Sequence, residues 1–276
     1  MSAHEIAIIG GGNMGRALIG GLLRSGIAPR AISIGEPSGT ARASLEQDFG
    51  CSALPDNERA IAGAGVVVLA VKPQEAAKVV ASFRPRLAEL APVVLSVAAG
   101  IETRSLEAWC GPGVPVVRAM PNRPALVGAG ATALYARAHV SASARNRAEA
   151  VMRAVGAVVW VSEEAHIDLV TALSGSGPAY FFFLAETMMQ AAVRRGLDPE
   201  AARILAVETL HGAGALAHAS GDLGRLRAEV TSKGGTTEAA LRVFGAENGL
   251  SELVQRAIDA AAQRGRELAL QFGAGD

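Results

Sequence analysis

Only two cysteines, two tyrosines and two tryptophans occur in 276 residues. Cys51 and Cys110 are too few for a disulfide framework and are not spaced as a metal pair, so both read as core or loop thiols. The five histidines, His4, His139, His166, His211 and His218, form no HExxH pattern and no carboxylate-flanked cluster, and no metal is expected. Neither sign of charge is in excess, with 26 basic and 26 acidic side chains, and no basic run reaches five residues. A nucleic-acid partner therefore has no electrostatic footprint. The opening Met1-Ser2-Ala3-His4-Glu5 carries no basic region, and the apolar run behind it stops at Gly10, short of a signal segment or a membrane span. A cytoplasmic, soluble protein without membrane association is expected.

What the sequence does have is aliphatic bulk: half the residues are apolar although aromatics make up only 4%. The core must be Ala, Val, Leu and Ile packed between helices and strands. The length suits two domains.

The first half alternates strands and helices. Ile6 to Ile9 is a short apolar run that ends in glycines, and Met14, Ala17, Leu18, Gly21 and Leu22 then recur at helical spacing. Gly26 and Pro29 stop that helix before a second strand at Ala31 to Ile34, which makes a βαβ unit. Ser38 to Phe49 predicts a helix closed by Gly50, Cys51 to Leu54 a strand, and Asp56 the start of another helix. Val66 to Val71, Pro92 to Ala98 and Pro115 to Met120 are strands without polar alternation, the mark of burial on both faces in a parallel sheet. Gly130 to Tyr135 adds an edge strand. The predicted architecture is a doubly wound α/β sheet.

Gly10-Gly11-Gly12-Asn13-Met14-Gly15 sits between the first strand and the first helix, the context that gives a GxGxxG motif its meaning. Gly10 permits the tight turn, Gly12 lets the backbone approach a pyrophosphate, and Gly15 lets the helix pack on the strand. About twenty residues on, Glu36 ends the second strand, where an acid can bind the adenosine ribose and favour NADH; a solvated strand-end acid is the alternative. Arg42 and Ser38 on the following turn could offset its charge toward a 2′-phosphate. Lys72, just past a buried strand, reads either as a cofactor or substrate contact or as a surface lysine opening a helix at Pro73. Ser96-Val97-Ala98-Ala99-Gly100 ends a strand in residues small enough to let a ring approach the backbone.

After Trp160 the strand pattern stops and long helical stretches follow, so the boundary is placed between a dinucleotide-binding domain, 1–162, and an all-α domain, 163–276. Leu173 to Tyr180 reads as a small-residue turn with Pro178 as the first residue of a new helix reaching about Arg195. Asp198-Pro199 begins the next helix, to about Ser220. Phe181, Phe182, Phe183, Leu184, Met188 and Met189 wrap too much of one helix for a single buried stripe, which asks for a second subunit as cover. Val230 to Glu238 is a second glycine loop, flanked by hydroxyls and followed by a helix at Ala239 to Phe244. It suits a small anion such as a carboxylate, or it is a capping loop with Thr236 or Thr237 as N-cap.

Together, Ile8 to Gly15, Ala70-Val71-Lys72-Pro73, Arg118-Ala119-Met120-Pro121-Asn122, Leu173 to Tyr180 and Thr231 to Thr237 resemble the pyrroline-5-carboxylate reductases, and the likeness spans nearly the whole chain. The resemblance implies a Rossmann-type domain followed by a helical dimerisation domain, with dimers that can build rings such as decamers. It implies reduction of Δ1-pyrroline-5-carboxylate to L-proline with NADPH or NADH, the last step of proline biosynthesis. By position, it assigns Asn13 and Met14 with the glycine loop to the pyrophosphate and Asn57 to the adenosine ribose and its phosphate. Ala70, Val71, Lys72, Pro73, Ala98, Ala99 and Asn122 fall on the nicotinamide side. Glu164 falls at the substrate, and Ser232, Gly234, Gly235, Thr236 and Thr237 form the loop for the substrate carboxylate and ring nitrogen, at a site shared between subunits. Thr237 is the residue given the catalytic hydrogen bond.

Two departures from the family pattern stand out. Arg123 replaces the usual Thr beside the nicotinamide region, and Lys233 stands where Pro is usual. Glu36 and Asn57 pull the choice between NADH and NADPH in opposite directions. The other functions weighed are a related imine or hydroxy-acid dehydrogenase and a non-catalytic dinucleotide-sensing dimer.

Overall fold

The structure, a computed structural model, describes residues 5–273. The reading of Met1 to His4 lies outside the described residues. Eight strands form one sheet: β1 Ile6–Ile9, β2 Ile32–Gly35, β3 Ser52–Leu54, β4 Val66–Leu69, β5 Val93–Ser96, β6 Val116–Met120, β7 Gly130–Tyr135 and β8 Gly156–Trp160. Their order is β3-β2-β1-β4-β5-β6-β7-β8. From β3 to β6 every pairing is parallel; β7 runs antiparallel to β6, and β8 parallel to β7.

The continuous apolar strands produce two cores, one on each face. Side chains alternate along a strand, so Ile6 and Ile8 enter one core and Ala7 and Ile9 the other. The first core is closed by α1 (Asn13–Arg24), α2 (Gly39–Phe49) and, later in the chain, a helix at Ala142–Arg153, through Leu18, Ile19, Leu45, Ala148 and Met152. The second is closed by α3 (Asn57–Ala60), α4 (Pro73–Leu90) and α5 (Thr103–Cys110), through Ala60, Phe83, Leu87 and Leu106. The Ala142–Arg153 helix is α6, with Ser141 capping it. Both cysteines are buried, and burial pushes the Cys110 thiol up to about 12, as befits a core thiol.

β7 is not the edge strand that was expected. β8 lies outside it, with side chains alternating between half-buried and exposed. The pair begins at Gly130 and Gly156, where a Cβ on Gly156 would stand 2.0 Å from the Gly130 carbonyl oxygen. Two glycines let these backbones start side by side.

Beyond β8 come α7 (His166–Val170), a π-helical turn Thr171–Gly175, α8 (Gly177–Val193), α9 (Pro199–Ser220), α10 (Leu223–Glu229), α11 (Thr236–Phe244) and α12 (Leu250–Gly273). The segment expected as a turn before Pro178 is instead helical. Thr171 and Ser174 donate their hydroxyls to the carbonyls of Ile167 and Val170, four residues back, which accommodates a widened helix rather than a chain reversal. The resulting run His166–Val193 is long and apolar enough, by length and composition alone, to cross a membrane, with mean hydropathy 1.3 over its most apolar 18 residues.

Two compact units emerge, one reaching to Gly175 and including the chain from Ala261, the other Ser176–Ala260. By packing, residues 163–175 thus belong with the sheet, not with the helices that follow. In the second unit, α8 and α9 pack together. α9 begins as predicted, with the Asp198 carboxylate accepting from the Ala201 N–H and Pro199 in the first turn. Phe181, Phe182 and Phe183 remain 61%, 60% and 70% exposed, so one chain leaves this face uncovered.

Candidate active site

The glycine loop crosses the carboxyl end of β1, between β2 and β4, where the sheet order reverses and ligands of open α/β sheets lie. Gly10 has a φ of +109°, and a Cβ there would meet the Ala70 carbonyl oxygen at 2.6 Å. At Gly15 a Cβ would lie 2.1 Å from the Gly10 oxygen, so α1 rests directly on the loop. Gly12 faces open space. It is also the N-cap of α1, which has no side-chain cap and no acid in its first turn. Unclaimed N–H groups and the positive end of the helix thus face the gap at Gly12, as a pyrophosphate requires. The residues fit a dinucleotide.

Glu36 reaches back over this loop: its carboxylate accepts from the N–H groups of Gly11 (3.0 Å) and Ser38 (2.9 Å). Arg42 donates to the carbonyl oxygens of Glu36 (2.9 Å) and Pro37 (2.8 Å), which ties its cation to the turn after β2. Asn57, the first residue of α3, lies against Gly35, where a Cβ would be 2.3 Å from Asn57 Oδ1. That oxygen is buried without a hydrogen-bond partner, an acceptor left over within the fold.

Ala70 and Val71 follow β4 half-buried, and Val71 approaches Gly10. Lys72 is the exposed N-cap of α4, with Pro73 in its first turn. After β5, Ala98 is buried, its N–H donating to Ser96 Oγ (3.3 Å), while Ala99 is exposed. Asn13 is exposed and Met14 half-buried at the start of α1. All of these follow the carboxyl ends of the central parallel strands β1, β4 and β5. Asn122, after β6, is different: it is 8% exposed, Oδ1 accepts from the Ala131 N–H (2.8 Å) and Nδ2 donates to the Ser174 carbonyl (3.0 Å). Arg123 beside it is exposed in a 3-10 turn.

Glu164 accepts three hydrogen bonds within the fold, from the Thr103 N–H (2.7 Å), the Thr103 hydroxyl (2.6 Å) and Arg118 Nη1 (3.0 Å). Sequence reasoning missed Thr103 and Arg118. The available signal was Arg118 itself, a cation in an otherwise apolar buried strand. Asp168 on α7 joins the same charged neighbourhood; burial raises its pKa, against the pull of Arg118 and Arg266.

In the Ser176–Ala260 unit the second loop joins α10 to α11. Gly234 has a φ of +72°, Gly235 donates to the Ser232 carbonyl (3.0 Å), and Glu238 accepts from the Gly234 N–H (2.6 Å). The N-cap of α11 is Gly235, so neither Thr236 nor Thr237 fills that role, and the helix starts three residues before Ala239. Extended backbone at Gly235 admits both threonines to the first turn. Among the described residues the hydroxyls of Ser232, Thr236 and Thr237 have no hydrogen-bond partner, and Lys233 is exposed beside them. Three free hydroxyls at an uncapped helix start are suited to a carboxylate.

A model of the family described as pyrroline-5-carboxylate reductase dimerisation matches residues 164–268, and one described as NADP oxidoreductase, coenzyme F420-dependent, matches residues 5–100. A protein of Pseudomonas aeruginosa named pyrroline-5-carboxylate reductase is 46% identical over 99% of this chain and 100% of its own length. One of the same name from Vibrio alginolyticus is 40% identical over the same shares. The solved structure of a pyrroline-5-carboxylate reductase from Coxiella burnetii superposes with a TM-score of 0.92 at 41% identity, over 97% of this chain and 99% of that one. A Plasmodium falciparum pyrroline carboxylate reductase with NADP bound superposes at 0.80 with 25% identity, over 97% and 100%. With relatives of this identity spanning both units end to end, the chain belongs to the pyrroline-5-carboxylate reductase family.

Proposed function

We propose that this chain reduces the C=N bond of Δ1-pyrroline-5-carboxylate to give L-proline, using NADPH or NADH. The observation that carries the reading is a second loop with free hydroxyls at Ser232, Thr236 and Thr237, in a chain whose glycine loop fits a dinucleotide. When bound, the reduced nicotinamide supplies the hydride, which adds to the imine carbon while the protonated ring nitrogen keeps its proton and becomes the amine. A protonated imine is already electrophilic, so the protein needs little acid-base machinery and acts chiefly by holding the reactants.

The α1 N-terminus holds the pyrophosphate. Glu36 and Asn57 take the adenosine ribose, and Ala70 to Pro73 with Ala98 and Ala99 line the nicotinamide side. The loop from Ser232 to Thr237 takes the carboxylate, and the Thr237 hydroxyl oxygen accepts from the ring N–H. Glu164, saturated by Thr103 and Arg118, serves the substrate by shaping its surroundings. The exposed phenylalanine face of α8 is the dimer interface, so the apolar run His166–Val193 meets another subunit rather than lipid. Assembly of dimers as far as a decamer, and a cytoplasmic location, complete the proposal.

Oxidation of NADH and of NADPH is followed by absorbance with Δ1-pyrroline-5-carboxylate, Δ1-pyrroline-2-carboxylate, Δ1-piperideine-6-carboxylate and 3-hydroxy acids. The first should give the highest kcat/KM. Thr237→Ala should lower that value by roughly tenfold, one charge-assisted hydrogen bond's worth. Turnover confined to another substrate, tight cofactor binding with no turnover, or an unchanged Thr237→Ala enzyme would each refute the assignment concerned.

A further inference from the structure

The π-helical turn Thr171–Gly175 ends where the second compact unit begins, at Ser176. Pro178 stands four residues after Ser174 and has no N–H, so the Ser174 carbonyl lacks the donor that an uninterrupted helix would give it. Asn122, at the end of β6, fills that gap. Its Nδ2 donates to the Ser174 oxygen (3.0 Å), and its Oδ1 is held by the Ala131 N–H at the start of β7 (2.8 Å). The contact is close along its length: a Cβ on Gly175 would lie 3.0 Å from Met120 Cε. Both ends of the buried Asn122 amide are thereby engaged by backbone.

We propose that Asn122 is a positioning residue, a pin that holds the turn Thr171–Gly175 against the end of β6, just before the chain enters α8. This departs from the cofactor contact that family resemblance suggests for Asn122. Its kinetic consequence rests on the reductase reading above. Its structural consequence does not.

The test uses the full-length assembled protein with Asn122→Asp, Asn122→Ala, Pro178→Ala and the doubles with Pro178→Ala. Asn122→Asp keeps the acceptor for Ala131 and loses the donor. Amide hydrogen exchange without ligands should quicken about tenfold across 171–177 in either Asn122 variant, the effect of one lost hydrogen bond at a helix junction. Adding Pro178→Ala restores a backbone N–H four residues after Ser174 and should return exchange to within about threefold of the parent. With pyrroline-5-carboxylate, kcat should fall about tenfold in the Asn122 variants and recover in the doubles, while the Kd for NADPH, read by fluorescence, stays within about twofold. A Kd that rises in step with the loss of kcat would make Asn122 a cofactor contact and overturn the proposal. So would unchanged exchange, or quickened exchange that Pro178→Ala leaves unrelieved. If the Asn122 variants do not fold, Pro178→Ala alone decides: exchange at 171–177 should slow about threefold, and equal or faster exchange refutes the pin. If the parent turns over no pyrroline-5-carboxylate, the substrate assignment fails while exchange and Kd still judge Asn122.

Discussion

Glu164→Ala should destabilise the sheet-bearing unit more than any other single carboxylate removal near the site. The Arg118 side chain is 5% exposed and the Glu164 side chain 21%. Removing the carboxylate strands a buried guanidinium, the buried Thr103 hydroxyl and the Thr103 N–H at the start of α5, whose own N-cap Glu102 makes no capping hydrogen bond with its side chain. Breaking a buried ion pair from one side costs about 3–5 kcal/mol, and the partial exposure of Glu164, which lets water in, argues for the lower end. At about 2–4 °C per kcal/mol for a unit of this size, the calorimetric Tm should drop by roughly 6–12 °C. Glu164→Gln keeps one acceptor oxygen and the shape, and should lose about half as much. Arg118→Met added to Glu164→Ala removes the stranded cation and should recover part of the loss, a non-additivity that independent surface residues would not show. A drop of under about 2 °C in Glu164→Ala, or strict additivity in the double, would refute the argument that this carboxylate is needed by the fold.

Three further outcomes follow from the same geometry. Glu36→Ser removes the carboxylate proposed to take the adenosine ribose and should raise the ratio of kcat/KM for NADPH over NADH by about five- to thirtyfold, the effect of roughly 1–2 kcal/mol of relieved repulsion; an unchanged ratio means that Glu36 does not face the 2′-position. Phe183 is 70% exposed on α8, and covering about 140 Å² of such a ring contributes about 3 kcal/mol per copy. Phe183→Glu should therefore shift sedimentation toward the monomer, and an unaltered mass on dilution would place the interface elsewhere. Asp168 has a raised pKa because burial disfavours its charge, so its ionised form weakens the fold above the folded pKa, and that penalty fades as pH falls through it. Asp168→Asn should consequently raise Tm at neutral pH, by less as pH falls toward the ordinary carboxylate range, and a gain that grew on acidification would reverse the sign.

The parts legible in the sequence are those whose cause is local. Val66 to Leu69 and Val93 to Ser96 read as central strands because burial on both faces leaves no polar alternation. The tight turn at Gly10 and the close packing at Gly15 followed from motif and context, and the clash distances agree with them. Pro178 does stand in the first turn of a helix, α8, but its restrictions fit a loop before it as well as a widened turn, and only the Asn122 donor, 52 residues from Ser174, tells those apart. Thr236 and Thr237 misled for a similar reason, since Thr is a favoured N-cap and Gly235 can cap as well. The place of β7 inside the sheet depends on Gly156 meeting Gly130, a contact that neither strand announces alone.

Arg118 marks the limit most sharply. Within Val116–Met120 it is the one charged side chain, and a buried guanidinium demands a partner, so the strand itself states that an acid must come. Which acid comes is another matter. Glu102, Glu107, Glu163, Glu164 and Asp168 are all present in the chain, and composition does not rank them. Glu164 is selected because the chain leaving β8 carries it past both the N-terminus of α5 and the face of β6, where one carboxylate satisfies a helix amide, a hydroxyl and a cation at once. The need for that partner is encoded in five residues, and its supply in the path of the chain.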